Sequence, residues 1–297
     1  MEPKQKIACL LFLTTTLPLS GSVRAGNRRT NRDHYGDAPQ QAIPLKIYRD
    51  FLVVAEGQLG GLPGRQNFIL DTGTAPSIIN SRLVEQLGLA TAPSTSAMGG
   101  KTVPIQRAIV PEVQLGPIRA VSLPIQVKDL SRLERDLGEP IAAIIGLDVL
   151  SKSNFRLDYD KAEIEFDRSS REGVPVRFDP RSGLAVAQVG LGGKTLRMLV
   201  DTGSNNFVLL GGNFADTGWV ALHNTSQSAA SLAEQGVRVQ EFPAPDIILG
   251  GSHFSQDRAY LVPDRADPVF DGFLGVRALG FRVLSYDQPS GTIYLQR

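Results

Sequence analysis

The chain has 297 residues, 42% hydrophobic and 21% charged, with a formal net charge of +1. That balance excludes the basic footprint of a nucleic-acid-binding protein, so no nucleic acid is expected as a partner. A single cysteine, Cys9, excludes a disulfide framework and a thiolate metal site.

Residues 1–25 read as a signal peptide. Lys4 and Lys6 precede an apolar run from Ile7 to Leu19, and Val23-Arg24-Ala25 offers a small-residue cleavage site. The chain is therefore expected to be exported, to the periplasm or beyond the cell. Cys9 lies inside this leader. No later stretch reaches the length of a transmembrane helix, so no stable membrane anchor is expected.

Residues 26–40 are polar and turn-rich, a flexible arm. From Ile43 onward short apolar runs alternate with turn signals: "IPLKIY", "FLVVAE", "NFILDTG". "SRLVEQLGL" at 81–89 carries Leu83, Val84 and Leu87 before Gly88, the pattern of a short amphipathic helix with a glycine stop. "SAMGGKTVPI" at 96–105 suggests a hairpin turning at Gly99-Gly100 after Met98. Strand-like runs resume as "VPEVQLG", "VSLPIQV", "AAIIGLDVL", "FRLDYD" and "AEIEFD". The polar stretch 167–175 then breaks the rhythm as a linker. Such a chain, with 30 glycines and 19 prolines, belongs to the all-β class.

After the linker the landmarks return in the same order. "MLVDTGS" at 198–204 matches "FILDTGT" at 68–74, which places Asp201 130 positions after Asp71. "FDGFLGVRAL" matches "IAAIIGLDVL", with Gly275 129 positions after Gly146. "LSYDQPSGTIYL" follows "LDYDKAEIEF" at a similar offset. Repetition at nearly one offset indicates an internal duplication, each copy a whole lobe. The boundaries read as 41–168 and 169–297.

Two similar lobes around an approximate twofold axis bring equivalent residues face to face. Asp71 and Asp201 would then form a partly buried carboxylate pair holding one proton, a general base and a general acid together. Gly73 and Gly203 would turn the chain and aim backbone N–H groups at the carboxylates. Thr74 and Ser204 would bond the outer carboxylate oxygens, and Thr72 and Thr202 would tie the loops reciprocally. Such a pair can hydrolyse an amide without a cofactor, a metal or a covalent intermediate.

With Asp-Thr-Gly-Thr/Ser present twice, the chain resembles the pepsin/retropepsin group of aspartic peptidases. Each motif is followed 75 or 74 residues later by the apolar-apolar-Gly segment of that group, at Gly146 and Gly275. The resemblance covers residues 43–297 in outline and implies two homologous acid-protease β-barrel lobes related by a pseudo-twofold, with few short helices. It further implies an aspartic endopeptidase acting as a monomer on peptide or protein substrates, with Met98, Gly99 and Gly100 on a substrate-covering flap. There are departures: no tyrosine occurs between Asp71 and Gly146, and "DTGSNNFVLLGGNF" lacks a helix like that of the first lobe.

Other features of the chain have blander readings. A third Asp-Thr-Gly at Asp216 has neither a strand before it nor a partner glycine, and reads as a loop. "GGKT" at 99–102 and 192–195 lacks the earlier glycine of a phosphate-binding loop, so hairpin turns are expected. His34, His223 and His253 have no metal-ligand spacing, Trp219 reads as packing, and Asp148, whose counterpart in the repeat is Arg277 and not a carboxylate, reads as structural. Two alternatives keep the fold: a protease active only as an intermolecular dimer, and a binding module without turnover.

Overall fold

A computed structural model describes residues 42–98, 101–179, 181, 183–213, 226–227, 240–243, 246–263 and 265–297. The expectations for residues 1–40, Gly99-Gly100, Asp216, Trp219 and His223 lie outside the described residues. So does the side chain of Met98.

The chain is mostly strand. Its first half runs through β1 (Ile43–Tyr48), β2 (Leu52–Leu59), β3 (Gln66–Leu70) and β4 (Ile78–Asn80) into helix α1 (Ser81–Gln86). There follow β5 (Thr91–Met98), β6 (Lys101–Leu115), β7 (Ile118–Lys128), helix α2 (Ser131–Leu137), β8 (Ala143–Ile145) and helix α3 (Leu147–Leu150). Strands β9 (Phe155–Asp158) and β10 (Glu163–Phe166) complete this half. Residues 167–173 carry no regular structure.

The second half opens with β11 (Val174–Arg177), β12 (Val186–Leu191), β13 (Lys194–Asp201) and β14 (Phe207–Leu210). Then come β15 (Ser226–Gln227), β16 (Gln240–Pro243), β17 (Ile247–Leu249), β18 (Ser252–Phe254) and β19 (Arg258–Val262). It closes with β20 (Gly272–Gly275), a 3-10 turn at Val276–Leu279, β21 (Val283–Asp287) and β22 (Thr292–Gln296).

α1 forms where the apolar spacing predicts it, with Leu83 and Val84 buried. Gly88 ends it at φ +60°, a backbone that favours glycine. The run "AAIIGLDVL", expected as strand, is strand only to Ile145. After Gly146 the chain winds into α3. The second "GGKT" is the expected hairpin turn, between the paired residues Leu191 and Lys194.

Two sheets organise these strands. In the first, β3 runs parallel to β8, β8 antiparallel to β4, and β4 parallel to β7. In the second, β13 runs parallel to β20, β20 antiparallel to β14, and β14 parallel to β19. The halves also share strands: β9 of the first pairs with β21 of the second, Leu157 standing opposite Leu284. Beneath them one apolar cluster extends from Ile43 to Leu295. At about 25 cal/mol per Å² of apolar surface removed from water, such burial is the main force holding the strands together.

Candidate active site

Each Asp-Thr-Gly follows a buried strand. Phe68, Ile69 and Leu70 on β3 are at most 2% exposed, as are Met198, Leu199 and Val200 on β13. The Asp71 N–H donates to Ile145 O of β8 at 3.0 Å, and Asp201 pairs with Gly275 of β20. Both aspartates are thereby carried to the end of a packed strand, where each is 1% exposed.

The two loops meet through reciprocal contacts. The Thr72 N–H donates to Thr202 Oγ1 at 3.0 Å, and the Thr202 N–H donates to Thr72 Oγ1 at 3.1 Å. Each hydroxyl then donates across the junction, Thr72 Oγ1 to Val200 O at 2.8 Å and Thr202 Oγ1 to Leu70 O at 3.1 Å. Gly73 N–H reaches Asp71 Oδ1 at 2.8 Å, and Gly203 N–H reaches Asp201 Oδ1 at 2.7 Å. A Cβ on Gly73 would lie 2.7 Å from the Asp201 carboxyl carbon, and one on Gly203 would lie 2.8 Å from Asp71 Oδ2. Only glycine lets the opposing carboxyl approach this closely.

The loops differ in one respect. Thr74 Oγ1 donates to Asp71 Oδ2 at 2.8 Å. Ser204, expected to do the same for Asp201, instead bonds Asn206, accepting from its N–H at 3.2 Å and donating to its carbonyl at 3.3 Å. The residue at the matching place in the first loop is Pro76, which has no N–H to offer. Thr74 is thus left for the carboxylate, while Ser204 is captured by a local turn.

This difference sets the two carboxyls apart. Burial pushes the Asp71 carboxyl up, opposed by hydrogen bonds from Thr74, Asp201 and the glycine amides. Burial also holds Asp201 well above the usual carboxylate range, with the charge of Asp71 adding to it. Two enclosed carboxyls in contact hold one proton between them, and the better-solvated anion is the one with more donors. The directions thus favour Asp71 as the anion and Asp201 as the carboxyl that keeps its proton to higher pH.

Gly146 and Gly275 brace the loops. A Cβ on Gly146 would sit 2.0 Å from Thr74 O, and one on Gly275 would sit 2.5 Å from Ser204 O. The Leu147 N–H donates to Thr74 O at 2.9 Å.

Asp148, expected to be structural, does brace the loop, through Ser77, which sequence reasoning missed. Asp148 accepts from Ser77 Oγ at 2.7 Å and from the Ser77 N–H at 3.0 Å, and Ser77 Oγ in turn accepts the Gly146 N–H at 2.9 Å. Arg277, the counterpart of Asp148, instead holds Asp50 O at 2.9 Å and stands 5.2 Å from the ring centre of buried Tyr159. Burial, chiefly, pushes the Tyr159 hydroxyl up; the Arg277 guanidinium opposes this, and both aspartates add to it.

A cavity of about 940 Å³ lies elsewhere, lined by Arg177, Phe178, Arg197 and Val269 among others but by no residue of either Asp-Thr-Gly loop. Hydrogen-bonded carboxyls, glycine approach and threonine exchange are the better guide to the chemistry.

This mostly-β architecture, with few short helices and two sheets, is consistent with the all-β acid-protease-like fold that the resemblance implies. Residues 55–149 match the aspartyl protease family model, so the resemblance to retropepsin-like enzymes holds over that segment. The match spans β2 to α3 and includes Asp71, the β5–β6 hairpin and Gly146, and it supports a general aspartic protease function. No curated protein matches the chain.

Proposed function

We propose that the chain is an aspartic endopeptidase whose Asp71 and Asp201 form one catalytic pair, contributed by two lobes that arose by duplication. The observation that carries this reading is the exchange of hydrogen bonds between Thr72 and Thr202, which brackets two carboxyls in contact. Reciprocity between equivalent residues is the mark of a local twofold axis. The matching pairing orders of the two sheets and the Leu157–Leu284 register favour the same arrangement.

Ionised Asp71 takes a proton from a water held between the carboxyls, and the water oxygen bonds to the scissile carbonyl carbon. Asp201 gives its proton to the carbonyl oxygen, yielding a neutral tetrahedral diol. Asp71 then protonates the amide nitrogen as the C–N bond breaks, and Asp201 recovers a proton from the diol. Both carboxyls return to their starting states. The substrate lies extended, bonded through its main chain and covered by the β5–β6 hairpin. Met98, Gly99 and Gly100 are proposed for the tip of that flap.

Both aspartates belong to one chain here, which favours an intramolecular site in a monomer over an intermolecular dimer. Export through the leader at 1–25 belongs to the same proposal. The test is incubation of the protein with a mixed peptide library across pH, together with binding of a peptide mimic bearing a hydroxyl at the scissile position. Cleavage and tight capture of the mimic are expected. Capture of intact peptides without cleavage, and no preference for the mimic, would instead indicate a binding module.

A further inference from the structure

A transverse row of paired residues runs from the strand before Asp71 to the β5–β6 hairpin. Ile69 of β3 pairs with Ile144 of β8, Ile144 with Ile78 of β4, Ile78 with Gln126 of β7, and Gln126 with Arg107 of β6. Opposed residues on neighbouring strands project from the same face of a sheet, and so do residues two apart on one strand. Ile69 and Asp71 are two apart, and the Asp71 N–H continues the β3–β8 ladder. The row therefore lies on the face to which Asp71 belongs.

The character of the row changes along its length. Ile69, Ile144 and Ile78 are wholly buried in one apolar cluster. Gln126 is also 0% exposed, yet neither its amide oxygen nor its amide nitrogen has a partner. Beside it Arg107 is half-buried, its Nε enclosed and equally without a partner. Among the described residues no carboxylate pairs with Arg107. The opposite face at these positions is ordinary core, with Ala108 and Ile125 buried. An enclosed amide and guanidinium left unsatisfied are costly to keep in a folded chain unless something satisfies them.

The chemistry of the missing partner is narrow. Arginine offers donors only, and a glutamine amide adds two donors on its nitrogen and one acceptor oxygen, which a guanidinium N–H can meet. A carboxylate, which only accepts, satisfies a guanidinium and an amide nitrogen together. β7 lies three inter-strand steps of about 4.8 Å from β3, a span of about four residues of extended peptide.

We propose that Arg107 and Gln126 form a specificity subsite that selects a peptide substrate carrying an acidic side chain about four residues from the scissile bond. The inference rests on the proteolytic reading above and adds a substrate class to it.

The experiment is a set of peptides in which each position around a cleaved bond is scanned with Glu, Gln and Lys. kcat/KM is compared for the wild type, Arg107→Glu and Gln126→Leu. At one such position the wild type should favour Glu over Lys by about tenfold or more, and Arg107→Glu should reverse the order. Gln126→Leu should shrink the Glu-over-Gln ratio while leaving the thermal midpoint unchanged or raised, since it removes an unpartnered amide. A Glu-to-Lys ratio that is the same in wild type and Arg107→Glu overturns the subsite alone. Should Arg107→Glu fail to fold, an unchanged Glu-over-Gln ratio in Gln126→Leu overturns it equally. A wild type that cleaves no peptide overturns the proteolytic reading, and the subsite with it.

Discussion

Thr72 and Thr202 clasp one another, each backbone N–H donating to the other's hydroxyl oxygen, at 3.0 and 3.1 Å. Both are 1% exposed, so no water can replace a lost partner cheaply. Thr72→Val keeps the shape and removes the hydroxyl, stranding the Thr202 N–H and Val200 O. Stability should fall by about 1–3 kcal/mol, and turnover should fall further as the carboxyls drift apart. Urea unfolding and peptide cleavage, measured on the same preparation, check both.

Asp201 predicts an unusual stability profile. A carboxyl whose folded pKa is raised contributes stability that is fully present below the unfolded pKa, about 4, and is lost as pH rises through the folded value. Both Asp71 and Asp201 shift upward, Asp201 the more. Asp201→Asn cannot ionise and should be more stable than the wild type at neutral pH, with the advantage shrinking toward about pH 4. Denaturation at several pH values is the measurement. The pH–rate profile should be bell-shaped, rising as Asp71 ionises and falling as Asp201 does.

Gly146 should tolerate no side chain. With Thr74 O only 2.0 Å from the Cβ site, Gly146→Ala must displace the loop that presents Thr74 Oγ1 to Asp71. Overpacking of this kind costs about 1–3 kcal/mol. A kcat reduced far more than KM is raised would show that the carboxylate geometry, more than substrate binding, has suffered.

Asp148 should prove a positioning residue. Its carboxylate accepts two bonds from Ser77, whose hydroxyl anchors the Gly146 N–H. Asp148→Ala leaves the Ser77 N–H and hydroxyl unsatisfied in a largely enclosed place and should cost about 1–3 kcal/mol. Asp148→Asn, still an acceptor on one side, should recover part of the lost kcat. Burial raises the Asp148 pKa despite these bonds, so the gap between Asn and Asp should narrow as pH falls.

Much of this was legible in the residues because strand, carboxylate and glycine stand at fixed spacings. The run of Phe68 to Leu70 needed a buried strand, and Leu83, Val84 and Gly88 needed a short helix. α2 was missed, although Leu130, Leu133 and Leu137 recur at helical spacing and Gly138 supplies a left-handed stop at φ +75°. Ser204 was misassigned because the competition from the Asn206 N–H is a local backbone matter, visible only when set beside Pro76. The links of Ser77 to Asp148 and of Arg277 to Asp50 join residues 71 and 227 positions apart, and no short motif encodes such a contact.

The central claim is that a single proton shared by Asp71 and Asp201 drives peptide hydrolysis. The most direct measurement is turnover of one cleaved peptide by wild type, Asp71→Asn and Asp201→Asn, each shown to be folded by circular dichroism. Loss of activity in both variants, with cooperative unfolding retained, is the predicted result. Turnover close to wild type in either one would contradict the account.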